Sequence, residues 1–129
     1  MIIETAEAIT QMGSSLSYPL YYEQAPQGTE GDYAVFFIVG GGQEEYMGGR
    51  DNNIKDLDIQ VNIFSNSDDS GYRIMTMKQQ YSDLFDWTTS LPVENYHVLK
   101  VQPVSFFQVP IQDLYRQFTI NHEIQLEKF

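Results

Sequence analysis

His97 and His122 are the only histidines of the chain, and it has no cysteine. Thiolate nucleophiles, disulfides, zinc fingers and iron–sulfur clusters are therefore excluded by counting. Neither histidine has a His, Asp or Glu partner at a spacing that a strand or helix would turn into a chelate. His122 shares the apolar phase of the last strand, so it reads as a core histidine with one satisfied nitrogen, or as a residue near that strand's exposed end, rather than as a general base. Asp51, Asp56 and Asp58 invite a calcium assignment, but a calcium loop needs alternate oxygen ligands, a turn glycine and a bidentate glutamate at a fixed offset. Asp56 and Asp58 instead share one strand face, roughly 7 Å apart by the strand rise. Asp68 and Asp69 have the types and the place of helix-capping acids.

The glycines at 40, 41, 42, 48 and 49 do not make a phosphate cradle. That chemistry needs a Gly-rich turn followed by Lys-Ser/Thr, or GxGxxG opening a helix. Here Gly42 runs into Gln43-Glu44-Glu45-Tyr46, whose charge repels phosphate. Neither a GxSxG elbow nor an HExxH helix occurs. No enzymatic activity is expected, and no cofactor.

The elements that must position these residues begin with the run Asp56 to Phe64. Leu57, Ile59, Val61 and Ile63 alternate with Asp56, Asp58, Gln60 and Asn62, the period of a strand with one dry and one wet side. After Ser65–Gly71, rich in side-chain oxygens for capping, a helix is expected to begin near Asp68 to Gly71 and end around Trp87 to Ser90. Its buried stripe is Ile74, Met77, Tyr81, Leu84 and Phe85. A shorter N-terminal helix spans Ile2 to Met12 with Ile2, Ile3, Ala6 and Ile9 on one side and Gly13 as its stop. Ser14 to Asp32 reads as irregular chain with a short extended piece at Leu20 to Glu23.

Tyr33 to Val39 is seven apolar residues without alternation, as in a strand covered on both faces. Gly40–Gly42 then releases the chain into a polar stretch, so 40–53 is expected to be a flexible arm or hairpin. His97 to Phe107 forms a strand that Pro103 assigns to an edge or a bulge, with Pro110 a second punctuation. Asp113 to Glu127 puts Leu114, Phe118, Ile120, Ile124 and Leu126 in one phase and Gln117, Thr119, Asn121, Glu123, Gln125 and Glu127 in the other, a closing strand. The fold class is α+β: a single domain over 1–129, with one mostly antiparallel or mixed sheet of four to five strands packed by a main helix and a short N-terminal one.

The chain is 129 residues long with 42% apolar and 14% aromatic residues, enough for one core despite a net charge of -11. Its seven basic residues stand singly among 18 acids, so there is no patch to displace the counterions of a nucleic acid. Neither a signal peptide nor a membrane span is expected. The pairs Tyr21-Tyr22, Phe36-Phe37 and Phe106-Phe107 each point to both faces of a strand. One sheet with two helices covers one face well. The second apolar face is expected to meet a partner subunit, or else a second layer or loop of the same chain.

Tyr18-Pro19, Ala25-Pro26-Gln27-Gly28-Thr29 and Asp32-Tyr33-Ala34-Val35-Phe36 resemble the opening of the tail terminator, or tail-to-head joining, family of long-tailed bacteriophages. The likeness continues through Asp58-Ile59-Gln60-Val61-Asn62-Ile63-Phe64 and Tyr115-Arg116-Gln117-Phe118-Thr119-Ile120-Asn121-His122-Glu123-Ile124, so it touches most of the chain. Asp32 stands where that family commonly has proline, and Gln43–Asn53 is idiosyncratic.

The resemblance implies a homohexameric ring that caps the tail tube protein, stops its polymerisation and offers its other side to the head-completion or connector protein. It also implies a place in the tail or neck of the virion, assembly in the host cytoplasm, and DNA that passes through the lumen without specific binding. Glu44, Glu45, Asp51, Asp56, Asp58, Phe36 and Phe37 are the candidate channel or interface residues. An acid-lined channel would account for the charge, and so would solubility. The alternative is a soluble small-ligand-binding or enzymatic α+β domain, which should carry a closed pocket with convergent polar groups.

Overall fold

The strand from Ile54 to Ser65 (β3) lies at the centre of a five-stranded mixed sheet, and its alternation is the reason. Leu57, Ile59, Val61 and Ile63 are all buried, at 1% exposure or less. Each such side chain contributes roughly 1.5–3 kcal/mol by leaving water. In this computed structural model, which describes residues 2–29, 31–43, 54–66, 71–112 and 115–128, the other elements arrange around that strip. They are α1 (Ile2–Gly13), β1 (Leu20–Tyr22), β2 (Tyr33–Gln43), α2 (Tyr72–Phe85), β4 (Tyr96–Gln112) and β5 (Tyr115–Lys128).

The strand order is β1-β2-β3-β5-β4, with β1 parallel to β2 and every other pair antiparallel. The fold is α+β, as the alternation of patterns predicts. Ala34 and Phe36 of β2, and Phe118, Ile120, Ile124 and Leu126 of β5, join the β3 strip in one core under the helices. From α2 this core receives Ile74, Met77, Tyr81 and Phe85, spaced for a single helical face. Tyr18 fastens the preceding loop to the same helix: its buried hydroxyl donates to the Met77 carbonyl at 2.8 Å.

Several expectations need correction. The packed side of α1 is Thr5, Ala6, Ala8 and Ile9, while Ile2 and Ile3 are 48% and 71% exposed. The helix lies over the three-residue edge strand β1, and its small side chains permit that approach. Gly13 does close α1, but it is not among the residues with a left-handed backbone. A Cβ there would come within 2.6 Å of Leu20 Cδ2, so close packing is what requires glycine.

Gly40, Gly41 and Gly42 do not release the chain. They continue β2 opposite Asp58, Leu57 and Asp56, past an irregularity at Ile38/Gly40; ladder bonding to a long neighbour overrides their weak strand preference. The rest of the expected arm, 44–53, lies outside the described residues. Finally, α2 has no side-chain cap: its N-cap is Gly71 at φ 88°, and Ser65 turns its hydroxyl to Asp32 at 2.8 Å instead. Asp68 and Asp69 lie outside the described residues.

The main helix ends at Phe85, before the expected stop, because Asp86 is extended and the Trp87 N–H pairs with the Val101 carbonyl at 2.7 Å. The edge position inferred from Pro103 holds. Register shifts fall at Val98/Lys100, Pro103/Ser105 and Val109/Gln112, and they let β4 run through both prolines at the sheet's outer margin.

Candidate functional site

The two histidines stand apart. His122 is 1% exposed beneath α2, its Nε2 is 2.5 Å from the Tyr81 hydroxyl, and burial pushes its pKa down to about 4. A neutral imidazole locked against a phenol in the core has no route to a substrate, which agrees with its place in the apolar phase. His97 is an exposed residue of β4 paired across the ladder with Glu127. Among the described residues, no three His, Asp or Glu groups converge as a metal site would require.

The acids gather on the sheet face away from the helices. Asp58 is exposed and lies opposite Glu123 of β5 on one side and Gly40 of β2 on the other; Asp56 lies opposite Gln125 and Gly42. Like charges directly opposite one another across a ladder repel, and here Asp58 is exposed while Glu123 is half-buried. Glu123 was not singled out from the sequence, because only the register brings it beside Asp58. Farther along the same face, Thr119 donates to Asn62 Oδ1 at 2.8 Å and Gln117 Nε2 donates to it at 3.2 Å. That amide patch stitches β3 to β5.

Phe36 and Phe37 part company. Phe36 is wholly buried on the helix side, 5.0 Å from the Tyr22 ring, so, contrary to expectation, it offers nothing to a channel or a partner. Phe37 points to the opposite face and lines an open hollow of about 340 Å³ with Val35, Tyr33, Phe64 and the segment 23–29. The second cover of β2 at Val35, which is 6% exposed, is thus a loop of the same chain. Val39, farther along, remains 58% exposed. Glu44, Glu45 and Asp51 lie outside the described residues.

The hollow beside Phe37 is a poor ligand site. Its Thr29 hydroxyl donates to the Pro26 carbonyl at 2.6 Å, and its Asn62 oxygen already accepts from Thr119 and Gln117, so two of its polar groups are engaged by the fold. It is open rather than enclosed.

A cluster of exposed apolar side chains lies elsewhere, at the β4 edge. Phe106 is 62% exposed, Phe107 50% and Val104 63%. Phe106 stacks on Phe118 at 5.9 Å and carries the Lys78 ammonium 4.5 Å above its ring, which puts it on the helix side. Phe107, opposite Thr119, belongs to the acid-bearing side. The doubled aromatics of the sequence call for cover on both faces of this strand, and in the fold both rings remain at least half exposed.

No protein-family model matches the chain, and neither does any curated protein sequence. Solved structures do share its fold. One, known by a sequence label that names no activity, is 13% identical with a TM-score of 0.70, over 99% of this chain and 95% of that one. Another is a chain of the virion of a native gene transfer agent particle, 10% identical with a TM-score of 0.64, over 98% of this chain and 91% of that one. At such identities the likeness is one of fold.

Proposed function

We propose that this chain is a structural virion protein that caps the tail tube of a phage-like particle, ends its polymerisation and presents the surface to which the head is joined. The observation that carries the proposal is the likeness in fold, along 98% of the chain, to a component of a gene transfer agent virion. The motif resemblance to tail terminators points the same way by an independent route. Two features of the surface favour it over a ligand-binding or enzymatic domain: apolar side chains left bare along one sheet edge, and an acid band on the open face.

In this role the chain acts by shape and contact, as a ring of about six copies. The band of Asp56, Asp58 and Glu123 faces the lumen, where it repels DNA phosphates and lets the duplex slide. Purified chain added to its polymerising tail-tube protein tests the proposal. Tubes should stop growing and carry a ring at one end by electron microscopy; tubes that elongate without change, with no chain bound at their ends, would refute it.

A further inference from the structure

We propose that copies of this chain associate head to tail by seating Phe106 of one copy in the hollow between α1 and β1 of the next, with Lys78 of the first meeting Glu7 of the second. The inference rests on the ring reading above and supplies its contact.

The two halves lie at opposite margins of the same layer. Phe106 projects from β4, the last strand of the order, on the side that carries the helices, and α2 reaches it through Lys78. One and two turns before Lys78 on the same helical row stand Met75, 47% exposed, and Tyr72, 77% exposed. They widen the knob. At the other margin α1 lies over β1, and between them is an apolar hollow of about 360 Å³ lined by Ala6, Glu7, Thr10, Gln11 and Tyr22, with room for a phenyl ring. Glu7 is exposed on the outer side of α1, so the knob carries a cation and the hollow an anion.

Different surfaces at opposite edges make a heterologous contact, which closes into a ring when the rotation permits. A continuous sheet between copies is the less suitable join. β4 has three register irregularities, and Pro103 and Pro110 supply no ladder donor, the usual means by which an edge resists strand addition. Side-chain docking does not need that ladder. A lysine above an aromatic ring is also a good anchor, because burial strengthens both the cation–π contact and the ion pair.

Two sets of variants test the contact by sedimentation velocity and native mass spectrometry, on the free chain and on tube ends, with circular dichroism to verify folding. Phe106→Glu and Thr10→Glu should each weaken association about thirtyfold, the size of a central anchor's loss. Mixed together, these two chains should form a 1:1 pair and stop there, since each supplies the half the other lacks. Glu7→Lys and Lys78→Glu should each weaken assembly and the double swap should restore it. Wild type that assembles while all these variants assemble equally well overturns the contact and spares the ring. Wild type that stays monomeric both in solution and on tube ends overturns both.

Discussion

Removing the imidazole from the core is the most quantitative perturbation the structure offers. His122 is 1% exposed, and its Nε2 and the Tyr81 hydroxyl share a 2.5 Å hydrogen bond. Its Nδ1 is buried with no hydrogen-bond partner among the described residues. The ladder neighbours of His122 are Ile59 of β3 and Pro103 of β4, which do not titrate; from α2 it meets Tyr81, whose own pKa burial pushes up. None of these neighbours brings a negative charge to the ring, so burial holds the histidine pKa at about 4 against an ordinary 6.5.

The sign follows from proton binding. Between pH 6.5 and about 4 the unfolded chain holds a proton at this site that the folded chain does not, so stability falls as pH falls through that window. Above 6.5 the contribution is complete, and below about 4 nothing more is lost. The gap, at about 1.36 kcal/mol per pH unit, amounts to about 3 kcal/mol. Carboxylates titrate in the same range, so the reference is the double variant Tyr81→Phe/His122→Leu, which keeps them.

At neutral pH, His122→Leu alone should cost about 1–3 kcal/mol by leaving the Tyr81 hydroxyl buried and unpaired, whereas the double variant should lie within about 1 kcal/mol of wild type. Urea unfolding followed by circular dichroism from pH 7.5 to 4 should then show wild type losing about 3 kcal/mol more than the double variant. Parallel curves, or a His122 ring titrating near 6.5 by NMR, would refute the reasoning.

Three further outcomes are expected. Gly13→Ala should lower stability by about 1–2 kcal/mol in urea unfolding, because its methyl group would press on Leu20; an unchanged midpoint would mean that Leu20 swings aside freely. Asp32 accepts from Ser65 and from Arg73 Nε, so Asp32→Ala should cost about 1–2 kcal/mol, most of it through Ser65 rather than the half-exposed arginine. A double-mutant cycle with Arg73→Ala should give a coupling below about 1 kcal/mol. Asp58→Lys should leave the melting temperature unchanged or slightly raised, since the lysine would face Glu123, while impairing DNA passage in an infection assay. Normal infectivity would remove this acid from the lumen.

What could be read from sequence follows from how locally each feature is determined. β3 announced itself because one of its faces is dry along its whole length, and α2 because four turns of apolar spacing leave a single possible inner side. α1 was harder: Ile2 and Ile3 satisfy helical spacing as well as Thr5 and Ala8 do, and only the narrow strand beneath decides which side packs. Parity separated Phe36 from Phe37, but the segment that covers Val35 arrives from residues 23–29, a tertiary event no local pattern encodes. The same holds for Gly40–Gly42, which form strand because β3 offers them partners, and for Glu123, which joins Asp58 only through register. The aromatics of β4 are legible as a need for cover, and among the described residues that need is met only in part, with Phe106 and Phe107 at least half exposed.

The central claim is tested most directly in a particle that lacks this chain. Deleting its gene should yield overlong or ragged tubes beside filled heads that do not join them, counted by electron microscopy of lysates, with supplied wild-type chain restoring tails of fixed length. Normal joined particles in its absence would contradict the account.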